Sequence, residues 1–224
     1  MPTVLSKEEA EQKPNRPVRS GKHWIFVLSY DLKPAAKLWA ELKRNAGKDY
    51  AVIEYDGDPT SNQLGCVGNS DILYLFLHGE GTNKPILNVG GNNNWKEPKQ
   101  LAHLLFTKGL DPNHREIKLF ACHSVEAETA KSLKISLNIL DKLYTGDKPY
   151  SKIVVYGYEG EVGVIGKDAA DKYRGETGWE TLKLLAKPIY DTQREQTGVS
   201  LNKASTFEGV EYRAKHQRIQ YGDF

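Results

Sequence analysis

Two mostly apolar segments of the chain end abruptly at residues of catalytic type. Residues 72–77 (ILYLFL) are followed by His78 and Gly79. Residues 117–121 (IKLFA) are followed by Cys122. Short apolar segments rich in branched and aromatic side chains are typical of strands that helices cover on both faces. We therefore predict two buried strands of an α/β sheet.

The segment between these two strands has the pattern of a helix. Residues 97–108 carry Leu101, Leu104 and Leu105 at helical spacing, and Gly109 follows as a C-terminal stop. A strand, helix, strand connection within one sheet is a right-handed crossover between parallel strands. The carboxyl ends of parallel strands meet at one edge, where α/β folds hold their chemistry. The two segments are thus predicted to bring His78 and Cys122 to the same edge.

The remaining pattern predicts a single domain at residues 23–224, preceded by a mobile polar tail at 1–22. Asp31, after the first strand, is a plausible helix cap. The fold class is a three-layer α/β sandwich with a mostly parallel central sheet flanked by helices and a C-terminal hairpin. Further strands are predicted at 23–30, 51–55, 151–158 and 161–165, helices at 34–45, from about 124 to 143 and at 181–185, and a hairpin or terminal strand pair at 207–220.

Composition excludes several functional classes. The net charge of +2, from 31 basic and 29 acidic residues, gives no reason to expect nucleic-acid binding. No apolar stretch approaches about 20 residues, and the first residues lack a Sec signal, so we expect a soluble protein without a membrane span. Cys66 and Cys122 are too few for a disulfide scaffold, and neither they nor the scattered histidines have the spacing of a zinc site.

A thiol and an imidazole at one sheet edge suit nucleophilic catalysis. The thiolate attacks a carbonyl carbon, and the imidazole takes and returns the proton. Backbone N–H groups of Gly79 and Cys122 could stabilise the oxyanion that develops. A helix directly after Cys122 would also favour the thiolate through its positive end, with Glu126 and Glu128 in its first turn.

The order of apolar strand, His-Gly, helix, apolar strand and Ala-Cys resembles that of the caspase-like (clan CD) cysteine peptidases. The loop rich in Gly, Asn and Thr at residues 81–94 is closest to the self-processing cysteine protease domains of large bacterial toxins. The resemblance covers roughly residues 24–165, where two strands joined by a turn at 153–165 would follow the helix after the cysteine.

This resemblance implies a thiol protease that works through a thioester acyl-enzyme. His78 would be the general acid or base, Cys122 the nucleophile, and the N–H groups of Gly79 and Cys122 the oxyanion hole. No third residue is required in this group. The sequence departs from the family at His123, where many members carry a small residue. His123 is the weaker candidate for the base, because adjacent strand residues point to opposite faces.

The resemblance also suggests substrate and activator sites. Tyr156, Tyr158 and Glu159 are predicted to contact the residue that precedes the cleaved bond; the tyrosines suit an apolar side chain and Glu159 a basic one. No cofactor is required, but inositol hexakisphosphate is the activator expected of the toxin domains. The sequence offers no compact basic cluster for it, and the candidates are Lys203, Arg213, Lys215 and Arg218.

The expected partner is a protein or peptide substrate, in the cytoplasm or in a host cytosol to which a bacterial effector or toxin module is delivered. Self-cleavage at Leu5-Ser6 in the polar tail is a corollary. Two alternatives stay open. One is a catalytically silent caspase-like scaffold that binds a protein partner, with His123 blocking the cleft. The other is a thiol acyltransferase or deamidase that uses the same dyad.

Overall fold

The computed structural model describes residues 21–45, 47–80, 84–91, 94–144, 149–158, 162–163, 189–190, 206–207, 210–211 and 218–222. The described helices are α1 (Lys33–Asn45), α2 (Pro98–Thr107) and α3 (Thr129–Tyr144), with 3₁₀ turns at Tyr30–Leu32 and Pro149–Lys152. The described strands are β1 (His23–Val27), β2 (Tyr50–Glu54), β3 (Ile72–Phe76), β4 (Leu87–Asn88), β5 (Trp95–Lys96), β6 (Glu116–Phe120), β7 (Val154–Tyr158), β8 (Val162–Gly163), β9 (Ile189–Tyr190), β10 (Thr206–Phe207), β11 (Val210–Glu211) and β12 (Arg218–Tyr221).

The central sheet has six strands in the order β12-β7-β6-β3-β1-β2. Neighbouring strands are parallel from β7 through β2, and only β12 runs antiparallel, against β7. The predicted pairing of the strands before His78 and Cys122 is therefore confirmed. The mostly parallel sheet and the three-layer α/β class are confirmed with it.

Helices cover both faces of the sheet, and strand alternation decides which residues each helix meets. On one face, Leu73 and Leu75 of β3 belong to a buried cluster with Leu101 of α2 and Leu133 of α3. On the other face, Phe76 and its neighbours pack with residues of α1. The second cluster contains Ile25, Val27, Ala36, Trp39, Ala40, Tyr50, Ile72, Tyr74, Phe76, Phe120 and Tyr158. Both faces of β3 and β6 are thus buried, which explains their continuous apolar sequence.

The C-terminal part differs in detail from the prediction. The antiparallel pair of β10 and β11 is a hairpin within the predicted region, and β12 joins the central sheet as an edge strand. Of the strand predicted at 161–165, the described part is β8, which pairs with β9 and not with β7. The two strands expected at 153–165 therefore belong to different sheets. The predicted helix at 181–185 and residues 1–20 of the predicted polar tail (1–22) lie outside the described residues.

The described residues include no helix that is long and apolar enough to cross a membrane.

Candidate active site

The assigned register of β3 and β6 ends two residues before His78 and Cys122. Phe76 pairs with Phe120, and the Leu77 N–H donates to the Phe120 carbonyl at 3.4 Å, so the pairing continues beyond the assigned strands. The Phe76 and Phe120 rings pack 5.4 Å apart on the α1 face, two residues before His78 and Cys122.

Gly79 approaches the backbone of Cys122 closely. A Cβ atom at Gly79 would lie 2.4 Å from the Cys122 carbonyl oxygen, a distance that only the absence of a side chain permits. Gly79 also forms an isolated antiparallel bridge with Leu87, whose flanking hydrogen bonds run from Asn88 N–H to the His78 carbonyl and from Glu80 N–H to the Ile86 carbonyl. In such a pair the N–H of Gly79 itself points away from Leu87.

His78 is held by the loop that follows β1. Its Nε2 lies 2.7 Å from Oδ2 of Asp31, and its backbone N–H donates to Ser29 Oγ at 3.1 Å. An ionised carboxylate only accepts hydrogen bonds, so the neutral imidazole carries its proton on Nε2. Nδ1 then keeps a lone pair that can accept a thiol proton. The His78 side chain is 44% exposed, which leaves it accessible to a substrate.

Ser29 connects the His78 strand to the loop that carries β4. Its hydroxyl donates to the carbonyl of Asn88 at 2.8 Å, and Ser29 is fully buried. The Gly90 N–H donates to the Leu28 carbonyl at 2.7 Å, one residue before Ser29. These contacts fix the end of β1 against β4, and with it the position of Asp31 relative to His78.

A turn, and not a helix, follows Cys122. Residues 122–127 form consecutive turns that the buried hydroxyl of Ser124 fastens to the end of β7. Ser124 Oγ accepts the Tyr158 N–H at 2.7 Å and lies 3.2 Å from the Tyr158 carbonyl, to which the Val125 N–H also donates. The nucleophile candidate is therefore positioned by hydrogen bonds between the turn and β7.

The prediction that the helix begins near Ser124 is wrong, since α3 begins at Thr129 and has no acidic residue in its first turn. The helix-dipole effect is confined to the end turns of a helix. The prediction that the amino end of α3 stabilises a Cys122 thiolate is therefore wrong. The prediction that Glu126 and Glu128 lie in the first turn of this helix is also wrong. Asp31 is likewise not a helix cap, because it lies inside the 3₁₀ turn and its carboxylate contacts His78.

His123 lies in the turn, with a left-handed φ of 52°. Its Nδ1 is 3.6 Å from Oε1 of Glu126, and 24% of its side chain is exposed. Strand alternation does not govern its direction, because residue 123 is outside β6. Its imidazole is instead directed at a carboxylate of its own turn.

The predicted substrate residues on β7 are buried. Tyr156 is 4% exposed and its hydroxyl donates to Gln220 Oε1 on β12 at 3.1 Å. Tyr158 is 3% exposed and its ring packs edge-on against Phe120. At this edge the backbone N–H and carbonyl of Tyr158 are bonded to Ser124 and Val125 of the turn. Glu159 lies outside the described residues.

The side chains predicted to bind the activator lie outside the described part of the chain. Arg218 begins β12, with its Cα opposite that of Tyr158, but its side chain is outside the described part, as are Lys203, Arg213 and Lys215. Within the described ranges no cluster of His, Cys, Asp and Glu could hold a metal ion.

Sequence reasoning missed the roles of Asp31 and Ser124. A signal existed for the first: Asp31 follows β1, which neighbours β3 in the sheet, so Asp31 comes to the same edge as His78. No comparable signal marked Ser124, whose partner Tyr158 is distant in sequence.

No family model, curated protein or solved structure matches this chain.

Proposed function

We propose that the protein is a cysteine endopeptidase of caspase-like type. The observation that carries this proposal is the parallel register of β3 and β6, which sets His78-Gly79 against Cys122 at the carboxyl edge of the sheet. The short contact between His78 and Asp31 supports it, because it leaves the imidazole with a free basic nitrogen.

In the proposed reaction, Nδ1 of His78 takes the proton of the Cys122 thiol, and the thiolate attacks the carbonyl carbon of a peptide bond. The oxygen of that carbonyl becomes an oxyanion, which accepts hydrogen bonds from the N–H groups of Gly79 and Cys122. The C–N bond then breaks, and His78 returns the proton to the leaving amine. A water molecule, deprotonated by His78, hydrolyses the remaining thioester and releases the thiol.

Asp31 has a supporting role in this proposal. Its carboxylate holds the imidazole in the tautomer with the proton on Nε2, and it stabilises the imidazolium that forms when the thiol is deprotonated. Its side chain is 67% exposed, so solvent screens the interaction and the effect is moderate.

The experiment that tests the function is cleavage of a proteome-derived peptide library by the full chain, with new amino termini identified by mass spectrometry. We expect cleavage by the wild type and none by Cys122→Ala. Cys66→Ala is the matched control, because Cys66 is an exposed cysteine in a loop away from the site, and its variant should cleave as the wild type does. Cleavage that persists in Cys122→Ala would contradict the proposal.

A further inference from the structure

Lys108, the residue that follows α2, has a buried side chain of which only 1% is exposed. Its Nζ lies 2.8 Å from Oδ1 of Asp56 and 2.6 Å from Oγ of Ser61, and it also donates to the carbonyl oxygen of Asp58. An ammonium group has three N–H donors and no acceptor, so these three oxygen atoms satisfy it completely. All three belong to residues 56–61, which form the loop after β2 and are called the lysine-binding loop below.

The lysine-binding loop depends on this ammonium group for its position. Residues 56–63 (DGDPTSNQ) contain no large apolar side chain that could anchor the loop in the core. The Asp56 oxygen that accepts from Lys108 also accepts the Asp58 N–H at 3.0 Å, so the cation and the turn share one acceptor. Withdrawing the loop would leave a buried charge without hydrogen bonds, which is strongly unfavourable. Lys108 therefore fixes the loop against the end of α2.

The lysine-binding loop and the residue before it support Tyr30 in the 3₁₀ turn after β1. Lys108 Nζ lies 5.1 Å from the centroid of the Tyr55 ring, which in turn stacks on the Tyr30 ring with centroids 6.5 Å apart and planes at 25°. A Cβ at Gly57 would lie 3.3 Å from the Tyr30 hydroxyl, so the backbone of the loop is also next to this side chain. Contacts thus run without a gap from Lys108 to the 3₁₀ turn.

Asp31 depends on the position of that turn. It follows Tyr30 directly, and its side chain is 67% exposed, so its own packing does not hold the carboxylate 2.7 Å from His78. The backbone of the turn has to do so, and one of its hydrogen bonds runs from the Leu32 N–H to the Ser29 carbonyl at 3.1 Å. Tyr30 carries the contacts of this turn with Tyr55 and the lysine-binding loop.

We propose that Lys108 is a positioning residue for Asp31. Its buried ammonium group orders the lysine-binding loop, the loop and Tyr55 support Tyr30, and the turn thereby keeps the Asp31 carboxylate on His78. The proposal rests on the peptidase function proposed above, in which Asp31 supports the proton carrier. Lys108 acts through two tyrosine rings and is assigned no contact with the substrate.

The first test is amide hydrogen exchange measured by NMR, which does not require activity. Lys108→Met removes the charge and keeps an unbranched side chain of similar length. We expect the Leu32 amide to exchange at least about 5-fold faster in this variant, relative to the amides of β3, which report opening of the core. Lys134→Met is the matched control, because Lys134 is also fully buried but its Nζ bonds to Asn138 and to the Tyr150 carbonyl. Its variant should keep the wild-type ratio.

The second test is the kinetics of peptide cleavage. Lys108→Met should lower kcat by about 5-fold with little change in KM, because the proton carrier is less well supported while substrate binding is unaffected. In the double variant Lys108→Met/Asp31→Asn, kcat should equal that of Asp31→Asn alone, because the lysine acts only through that carboxylate. Lys134→Met should keep the wild-type kcat.

Tyr55→Leu interrupts the same contacts at a second point and leaves Lys108 and its three oxygen partners in place. It should accelerate exchange of the Leu32 amide and lower kcat to a similar extent. This variant keeps the test decisive if Lys108→Met does not fold. Wild-type exchange and wild-type kcat in Tyr55→Leu would overturn the proposal.

The remaining outcomes separate the proposal from the function on which it rests. Unchanged Leu32 exchange in Lys108→Met, or an equal increase in both lysine variants, would overturn the proposal alone. So would a further loss of kcat when Lys108→Met is added to Asp31→Asn, since the lysine would then act by another route. The absence of cleavage that requires Cys122 would overturn the peptidase function and the role of Lys108 in it, whereas faster Leu32 exchange would still support the contacts from Lys108 to the turn.

Discussion

The two ends of the central sheet each hold a histidine next to a strand, in opposite surroundings. His23 begins β1 at the amino end and stacks on the Tyr50 ring at 4.4 Å with the planes 13° apart. Burial, followed by the nearby charge of Lys118, lowers its pKa to about 4. His78 follows β3 at the carboxyl end, half-exposed, with a carboxylate oxygen 2.7 Å from Nε2.

This difference separates a structural imidazole from one that can carry protons. Burial and nearby lysines keep His23 neutral near pH 7, so its imidazole contributes to packing and is not available to carry protons. The Asp31 carboxylate can accept a hydrogen bond from both the neutral and the charged imidazole of His78. A general base alternates between these two forms during the reaction. Position at a strand end is common to both histidines, so the partners decide the role.

Replacing the histidine at each end of the sheet with glutamine should have the largest effect on activity and stability. His78→Gln should lower kcat/KM for peptide cleavage by about 1,000-fold, because the variant lacks the proposed proton carrier. Its free energy of unfolding should change by less than about 1 kcal/mol, since the side chain is half-exposed. His23→Gln should do the reverse, with nearly wild-type kcat/KM and lower stability in urea titrations. Equal losses of activity in both variants would contradict the claim that the two histidines have different roles.

Gly79→Ala should have the next largest effect. The added methyl group meets the Cys122 carbonyl oxygen and must displace one of the two backbones, which disturbs the N–H groups that face the oxyanion. We expect kcat/KM to fall by about 100-fold. Gly222→Ala is the control, because its Cβ would meet nothing closer than 3.9 Å. Wild-type kinetics for Gly79→Ala would contradict the assignment of Gly79 to the oxyanion hole.

Asp31→Asn should lower activity by a smaller factor, about 10-fold, mainly in kcat, because the amide cannot stabilise an imidazolium as a carboxylate does. Asp31→Glu should recover part of the loss if the charge is what matters. Steady-state kinetics of the three proteins give the comparison. An unchanged kcat in Asp31→Asn would show that the contact with His78 has no part in the reaction.

The pH dependence of stability should show the smallest effect and should report on His23. Its pKa is near 4 in the folded protein, below the ordinary histidine value of 6.5 that applies to the unfolded chain, so the unfolded chain takes up a proton first as the pH falls. The free energy of unfolding should therefore decrease from about pH 6.5 to about pH 4 and level off below. Buried His114, whose pKa burial also lowers, adds a trend of the same sign.

The contribution of His23 is isolated by comparing His23→Phe with the wild type in urea at pH 7.5, 5.5 and 4.5. The variant should lose less stability across this range than the wild type. Parallel pH profiles would show that folding does not lower the pKa of His23.

The framework of the site follows from local patterns, whereas its fine positioning does not. Continuous apolar character predicts β3 and β6, and the single intervening helix makes them parallel, so the position of His78 and Cys122 at one edge of the sheet could be predicted. The turn after Cys122 could not, because the hydroxyl of Ser124 bonds to Tyr158 and delays α3 to Thr129. Such contacts join residues that are distant in sequence, so the spacing of apolar residues does not predict them.

The same limit applies to Asp31 and to the β7 tyrosines. A carboxylate after a strand is typical of a helix cap, and only the loop geometry around Ser29 turns it toward His78. The resemblance to caspase-like peptidases predicts that Tyr156 and Tyr158 contact substrate, but both side chains are buried. The Tyr156 hydroxyl donates to Gln220 of β12, and the sequence did not specify that β12 joins the sheet edge.

The central claim is that Cys122 is an activated nucleophile, and the chain contains its own reference in Cys66. Cys66 is exposed and Cys122 is half-buried, so accessibility alone favours Cys66. The decisive measurement is labelling with a peptidyl acyloxymethyl ketone, with each cysteine quantified by peptide mass spectrometry. We expect selective labelling of Cys122 that His78→Gln abolishes. Labelling of Cys66 at an equal or higher rate would contradict the claim.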